Sequence, residues 1–380
     1  MEPIQPKNRT PIPITPSETI PAFRITTTSV VIFLVIAGIL LSVFLSRKSD
    51  PPDSPNATGM SNFPTLNSTV AVPTKIIIVE NEPTTPPASN KPSDSKSAND
   101  STPPLDTMVL IPAGEFDMGA SEAQAKWHHS FCNKYDRCIY EEYTDMLPIH
   151  TVYIDSFFID VHEITNSQYR ACVKSNNCNS PNQSFIEEYL DQDYFTNPKY
   201  DLYPVVSISW KDAVDFCEWS GKRLPTEAEW EKAAKNGADW TYAWLRSTQS
   251  TSANTVIGNG NLPINFCDKN CLIKKANWIE YSISDNWGGP APVMSFPPNL
   301  LGLYDLNGNV QEWVQDYYSS TYYGYSPATN PINNVENSYR VVRGGGWNNG
   351  LYHTTSMYRR ATDPNKVKAF LGFRCAKDIN

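Results

Sequence analysis

Along this chain the pattern of apolar and polar positions changes character three times. Positions 1–24 are mostly polar. Ile25 to Leu45 (ITTTSVVIFLVIAGILLSVFL) then carries no charge and is bracketed by Arg24 and by Arg47-Lys48. An apolar run of roughly twenty residues, rising 1.5 Å per residue, spans a bilayer core, so residues 25–45 are predicted to form one transmembrane helix. A cleaved signal peptide would have a shorter apolar region ending at a small-residue cleavage site. This run instead ends in Leu45-Ser46-Arg47, and a polar stretch precedes it. Over residues 46–105 periodicity disappears. Pro, Ser and Thr dominate, with one short apolar patch at Ile76-Ile-Ile-Val79. Such a composition cannot bury enough surface to offset backbone entropy, and its prolines favour extended chain. A disordered linker over 46–105 is therefore expected, behind a short cytoplasmic tail of residues 1–24.

From residue 106 onward the pattern becomes that of a folded domain. Thr107-Met-Val-Leu-Ile111 followed by Pro-Ala-Gly-Glu-Phe-Asp-Met-Gly119 reads as strand, turn, strand. Residues 121–147 are polar and predict an irregular insertion, closed by Cys132 and Cys138. Alternation over Ile149–Ile159 predicts a further strand, and Glu163-Ile-Thr-Asn166 opens a helix through Val173. Ser209-Trp-Lys-Asp212 is a capping box, in which Ser209 satisfies a free first-turn amide and Asp212 reaches back. Ala213, Val214, Cys217 and Ser220 form that helix's narrow face, and Gly221 is its left-handed stop. Thr226-Glu-Ala-Glu229 is a second capping box, with its helix ending near Gly237. Beyond residue 240 short strands and Gly/Asn/Pro-rich turns prevail, and Asn309 to Tyr317 is the one candidate for another helix. The sum is an α+β domain over residues 106–380 with little regular secondary structure.

Charge and cysteine usage narrow the function class. A net charge of −9 leaves no electrostatic footprint for nucleic acid. All eight cysteines lie after residue 131, and the spacings 132/138, 172/178 and 267/271 favour disulfides in an oxidising compartment. Lys7, Arg9 and Arg24 on one side and Arg47 and Lys48 on the other barely decide membrane orientation. The cysteines do, placing the domain outside the cell membrane as a single-pass extracytoplasmic module. None of the five histidines shows metal-ligand spacing, and His128-His129 in the polar insertion reads as a solvated pair.

Several motifs are more specific. Val206-Ser-Ile-Ser-Trp-Lys-Asp-Ala213 leads to Gly221-Lys-Arg-Leu-Pro-Thr-Glu-Ala-Glu-Trp-Glu231. Gly302-Leu-Tyr-Asp-Leu-Asn-Gly-Asn-Val-Gln-Glu-Trp313 follows, then Arg340-Val-Val-Arg-Gly-Gly-Gly-Trp-Asn-Asn349 and Gly372-Phe-Arg-Cys-Ala376. Together they resemble the formylglycine-generating enzyme, or sulfatase-modifying factor, family. The resemblance implies a compact fold related in shape to C-type lectin-like domains, and a disulfide between Cys217 and Cys375.

It also implies what this chain lacks. Oxidising members carry two cysteines five residues apart that bind copper and oxidise a substrate cysteine. Asn349 and either Thr354 or Thr355 stand at those positions, and no cysteine lies between Cys271 and Cys375. Copper is therefore not expected, since a soft cuprous ion has no thiol pair to select it. Gly344-Gly-Gly346 replaces the family's Gly-Gly-Ser, and Gln311 replaces a common Trp. Calcium is expected structurally. One family site maps to Asp305, the Gly308 and Val310 carbonyls and Glu312. The other maps to Asn277, the Trp278 carbonyl, Asp285 and the Trp287 carbonyl.

The groove around Trp347, Asn348, Asn349, His353 and Arg359 suits a peptide, protein or glycan ligand. A non-catalytic binding module is the reading these residues favour. A divergent enzyme modifying a protein substrate and a structural envelope protein are the alternatives.

Overall fold

The computed structural model describes residues 78–79, 106–135, 141–235, 242–243, 262–273 and 284–379. The expected membrane helix at 25–45, nearly all of the linker, Cys138, Gly237, Asn277 and Trp278 lie outside the described residues. Among the described residues no helix is long and apolar enough to cross a membrane.

The linker's apolar patch departs from the expectation of a structureless tether. Ile78–Val79 (β1) is a short strand that pairs antiparallel with Met108–Ile111 (β2), a location where β-branched side chains are favoured. Gly114–Met118 (β3) follows. Residues 121–147, expected to be irregular, form the helices Glu122–Tyr135 (α1) and Glu141–Thr144 (α2). The start signal overlooked there is Ser121 with Gln124. The Ser121 amide donates to Gln124 Oε1 at 2.7 Å, and the Gln124 amide returns to Ser121 Oγ at 3.3 Å, a capping box. Ala125, His128 and Cys132 then fall on one helical face, and all three are buried.

The single strand expected over 149–159 is two, His150–Ile154 (β4) and Phe157–Asp160 (β5), which join different sheets. Two helices begin at the boxes the sequence marks, and a third begins at an unforeseen box, where a helix opening was expected. Asn166–Lys174 (α3) is capped by Thr165 and Gln168, and Gln183–Ile186 (α4) follows it. Trp210–Trp219 (α5) is capped by Ser209 and Asp212, and Gly221 beyond it has φ +70°. Glu227–Lys235 (α6) begins where the amides of Thr226 and Glu229 bond each other's side chains.

The segment read as a candidate helix is instead Gln311–Tyr317 (β6). It pairs with Arg340–Arg343 (β7) on one edge and with Leu371–Gly372 (β9) on the other. Its first four residues are all buried, with polar Gln311 and Glu312 on opposite faces, so the period-2 apolar/polar signature of a strand is lost. Arg360–Thr362 (β8) and Ala376–Asp378 (β10) complete the sheets, ordered β1-β2-β5-β10, β3-β4 and β8-β7-β6-β9.

Three apolar cores result. One lies between the first two sheets and α6, around Trp230, Ile159 and Leu303. Another sits under α3 and α5, around Phe216, Trp313, Trp347 and Phe373. A third lies beneath α1, around Tyr143, Met146 and Tyr352. Disulfides link Cys172 to Cys178, Cys217 to Cys375 and Cys267 to Cys271. Cys132 is also disulfide-bonded. The Cys217–Cys375 bridge closes the longest loop, and such a bridge acts mainly by restricting the unfolded chain.

Candidate functional site

The glycine run after β7 begins the site. Gly344 and Gly345 both have positive φ. A Cβ on Gly345 would lie 2.5 Å from the His353 carbonyl oxygen, so only glycine lets this turn press against the 3-10 turn Leu351–His353. Trp347 follows. Its amide donates to the Asn309 carbonyl at 2.7 Å and its indole Nε1 to the Ala369 carbonyl at 3.1 Å. The ring is buried, with Tyr189 and Phe370 set edge-on at 6.1 and 6.3 Å.

Asn348 and Asn349 are buried as well. Gln311 Nε2 donates to Asn349 Oδ1 at 2.8 Å and to Asn348 Oδ1 at 3.3 Å, while the Gly346 amide donates to Asn349 Oδ1 at 3.1 Å. The departure of Gln311 from the family pattern thus meets that of Asn349, the first donating to the second. Above them lies the Cys267–Cys271 loop. The Cys267 amide donates to the Asn349 carbonyl at 2.8 Å, and Cys271 Sγ is 3.6 Å from the Trp347 carbonyl. Thr354 and Thr355 are both fully buried. Thr354 Oγ1 donates to the Leu351 carbonyl at 2.9 Å, and Thr355 Oγ1 accepts the Tyr358 amide at 3.2 Å. The positions that would hold thiols are closed by hydrogen bonds internal to the fold.

Two expected groove residues have other surroundings. Arg359 is 2% exposed and does not line a groove. Its Nε and Nη2 bond both oxygens of Glu227 at 2.7 and 2.8 Å, with the guanidinium 4.2 Å from the Tyr323 ring centre. The reason lies in α6, which buries Glu227, Glu231 and Lys235 and so requires counter-charges. Arg343 Nη2 meets Glu231 Oε2 at 2.7 Å and Lys235 Nζ meets Glu231 Oε1 at 3.0 Å. His353 is partly exposed, yet both its ring nitrogens are buried without a hydrogen-bond partner. His128, expected to be solvated, is fully buried and equally unpartnered. The helical face of α1 decides this, since it turns His128 inward with Ala125 and Cys132. Burial pushes both imidazoles down to about 3.

The partly exposed apolar side chains near Trp347 are ones that motif reading passes over. Tyr189, Leu190, Trp287 and Phe370 are half-buried and Leu272 is exposed. Leu190 and Leu272 both lie against Gly289, and Trp287 lies edge-on to Tyr203 at 6.3 Å. These residues come from four separated places in the chain with no shared motif. The crowding of Tyr189, Tyr194, Tyr200 and Tyr203 is the one signal that could have marked the platform.

The expected calcium positions hold an excess of buried acid. Glu312 accepts Arg374 Nε at 2.8 Å and Nη2 at 2.7 Å, and also Trp230 Nε1 at 2.8 Å. Asp305 Oδ2 accepts the Met294 amide at 2.8 Å. Its carboxyl is pushed up to about 6 by burial, with Glu312 adding to the effect. Glu163 accepts the Val310 amide at 2.9 Å and Asn309 Nδ2 at 2.6 Å. Burial, then Asp305 and Glu312, raise it well above the usual range. Asp285 accepts the Phe266 and Trp287 amides, both at 2.7 Å, and burial pushes it up to about 7. Among the described residues no three His, Cys, Asp or Glu side chains converge as a metal cluster. Carbonyl-rich calcium sites do not require one. Glu163, Asp305 and Glu312 beside Arg374 leave a surplus of buried acid, which a cation held partly by backbone carbonyls would offset.

Residues 93–379 match the sulfatase-modifying factor enzyme 1-like domain. Over 290 residues the chain is 33% identical to the serine/threonine-protein kinase pkn1 of Chlamydia pneumoniae, covering 73% of this chain and 39% of that protein. It is 31% identical over 313 residues to the formylglycine-generating enzyme of Streptomyces coelicolor, covering 72% and 89%. Among solved structures, PvdO from Pseudomonas aeruginosa has a TM-score of 0.51 at 23% identity, covering 72% of this chain and 94% of that one, and shares the fold. The chain belongs to the sulfatase-modifying factor enzyme 1-like domain family. It spans well under half the length of the chlamydial relative, whose kinase activity is that protein's own.

Proposed function

We propose that this member of the sulfatase-modifying factor family is a membrane-anchored, extracytoplasmic binding module that does not oxidise cysteine. Residues 25–45 would be the anchor and 46–105 the spacer, and the cysteine usage of the domain suits an oxidising compartment. The observation that carries the reading is the amide cluster at Asn349. The place of the family's first thiol is filled by a buried side chain whose oxygen accepts from Gln311 and Gly346. The second is filled by Thr354 or Thr355, each with its hydroxyl engaged within the fold. The platform of Tyr189, Leu190, Leu272, Trp287 and Phe370 supplies the apolar and aromatic surface that peptides and glycans stack on.

Calcium belongs to the same proposal. Asp305 and the carbonyls of Gly308 and Val310 would hold one ion beside Glu312, and Asp285 with Trp287 would contribute to a second. Either ion would relieve buried negative charge and pin loops that lack a large core. The test uses the full chain with copper(I), oxygen and a cysteine peptide. The peptide should keep its thiol, and the protein should bind members of a peptide and glycan array through the platform. That binding should drop at least tenfold in Trp287→Ala with Leu272→Ala. Appearance of an aldehyde in the peptide would overturn the reading.

A further inference from the structure

Among the contacts that join the insertion to the C-terminal part of the domain, beside an apolar core and the Arg359–Asp145 hydrogen bond, is a stack of three rings. His128 lies 6.1 Å from Tyr143 with an interplanar angle of 8°, and Tyr143 lies 6.5 Å from His353 at 10°. His128 comes from α1 and Tyr143 from α2, while His353 ends the 3-10 turn against which Gly345 is pressed. All four imidazole nitrogens are buried and make no hydrogen bond.

Among the described residues the ionisable and aromatic groups around them are Trp127, His129, Tyr352, Tyr358, Tyr143 and Arg360. Arg360 and His128 are, among the described residues, the charges acting on His353, and both oppose a proton. The stack therefore persists only with both rings neutral, because a buried cation with no acceptor is costly.

We propose that this His128–Tyr143–His353 stack is an acid-sensitive latch, in which protonation of the two imidazoles releases α1 and α2 from the Leu351–His353 turn. An exposed imidazole binds a proton near pH 6.5, whereas the two sealed ones resist it down to about 3. Between those limits each pH unit favours the released state about tenfold per histidine, hence about 100-fold for the pair. The turn that is freed adjoins Gly345 and Asn349, so release would unclamp one side of the site described above. The inference stands apart from the binding reading, since it concerns only how the insertion is held.

The experiment is hydrogen exchange of the full chain by mass spectrometry from pH 7.5 to 4.5, corrected for intrinsic exchange. Protection in peptides from Glu122–Tyr135 and Leu351–Tyr358 should fall steeply below pH 6.5, approaching 100-fold per unit, while Glu227–Lys235 keeps its protection. The double variant His128→Phe with His353→Phe should abolish the pH dependence. Unchanged protection in the insertion down to pH 4.5, or the same fall in the double variant, overturns the proposal. Histidine NMR on the unmodified protein provides an arm that does not depend on the variant folding. Two imidazole signals should stay unmoved from pH 7.5 to 6.5, and ordinary titration of all five near 6.5 overturns the latch.

Discussion

Two buried polar regions of this domain solve the same problem in opposite ways. Behind α6, Glu227, Glu231 and Lys235 are taken out of water, and each is met by opposite charge: Arg343 and Arg359 from distant segments face the two glutamates, and Glu231 faces Lys235 one turn along the helix. Beneath α1, the ring nitrogens of His128 and His353 are taken out of water among aromatic and apolar side chains, with no hydrogen-bond partner. The first region is held by charge and fails when a partner is removed. The second is held by the absence of charge and fails when a proton is added. A buried group's cost depends on what faces it more than on how deeply it lies.

The comparison can be broken most forcefully at Arg359. Arg359→Met leaves Glu227 with one fewer cation in a site that excludes water, so urea unfolding should show a loss of about 3–5 kcal/mol. A loss below about 1 kcal/mol would mean that the ionic layer is not what holds α6.

The next effect is a difference in pH response. Burial pushes Glu231 up, but Lys235, Arg343 and the Gly119 amide outweigh it and hold the carboxyl below its ordinary range. Its contribution is full above about pH 4.5 and is lost only as the pH falls further. Asp145 and Asp316, raised chiefly by burial to about 6 and about 7, act in the other direction. Their contributions are present near pH 4 and decline as the pH rises. For His128 and His353 the contribution is full above pH 6.5 and is lost as the pH falls toward 3.

Comparing the His128→Phe, His353→Phe protein with the unmodified one cancels every other titrating group. The variant's advantage in unfolding free energy should grow below pH 6.5 by about 1.4 kcal/mol per pH unit for each histidine. A constant difference from pH 7.5 to 5 would show that the imidazoles are already protonated in the fold.

The smallest effect sharpens the contrast by its sign. His128→Phe alone, at pH 7.5, replaces an unpartnered polar ring by an apolar one in an aromatic setting. It should be neutral or stabilising by about 1–2 kcal/mol, because an unmade buried hydrogen bond costs that much. A clear destabilisation in thermal unfolding would point to a partner that the imidazole needs.

Much of the fold was legible along the chain. The boxes at Ser209/Asp212 and Thr226/Glu229 mark helix starts that the structure keeps, because capping is settled within four residues. The strand at Gln311–Tyr317 was not legible, since burial on both faces removes the alternation that distinguishes strand from helix. The insertion's helices hid in a polar composition whose single apolar face becomes evident only when Ala125, His128 and Cys132 are read as one turn-spaced set. At the candidate site, the replacement of the thiols by Asn349 and Thr354 is written in the sequence. The pairing of Asn349 with Gln311, the ion pair that removes Arg359 from any groove and the platform from Tyr189 to Leu272 are not.

The local and the categorical were thus determined by the sequence alone: family, helix starts, the missing cysteine pair and the charge-poor stretch over 25–45. The tertiary structure decided which polar side chains face partners, which face aromatic and apolar side chains and which face solvent. The physical reason is range. Caps, turns and motifs are set by neighbours a few bonds away, whereas Glu227 meets Arg359 across 132 residues and Gln311 meets Asn349 across 38, separations that only the folded chain closes.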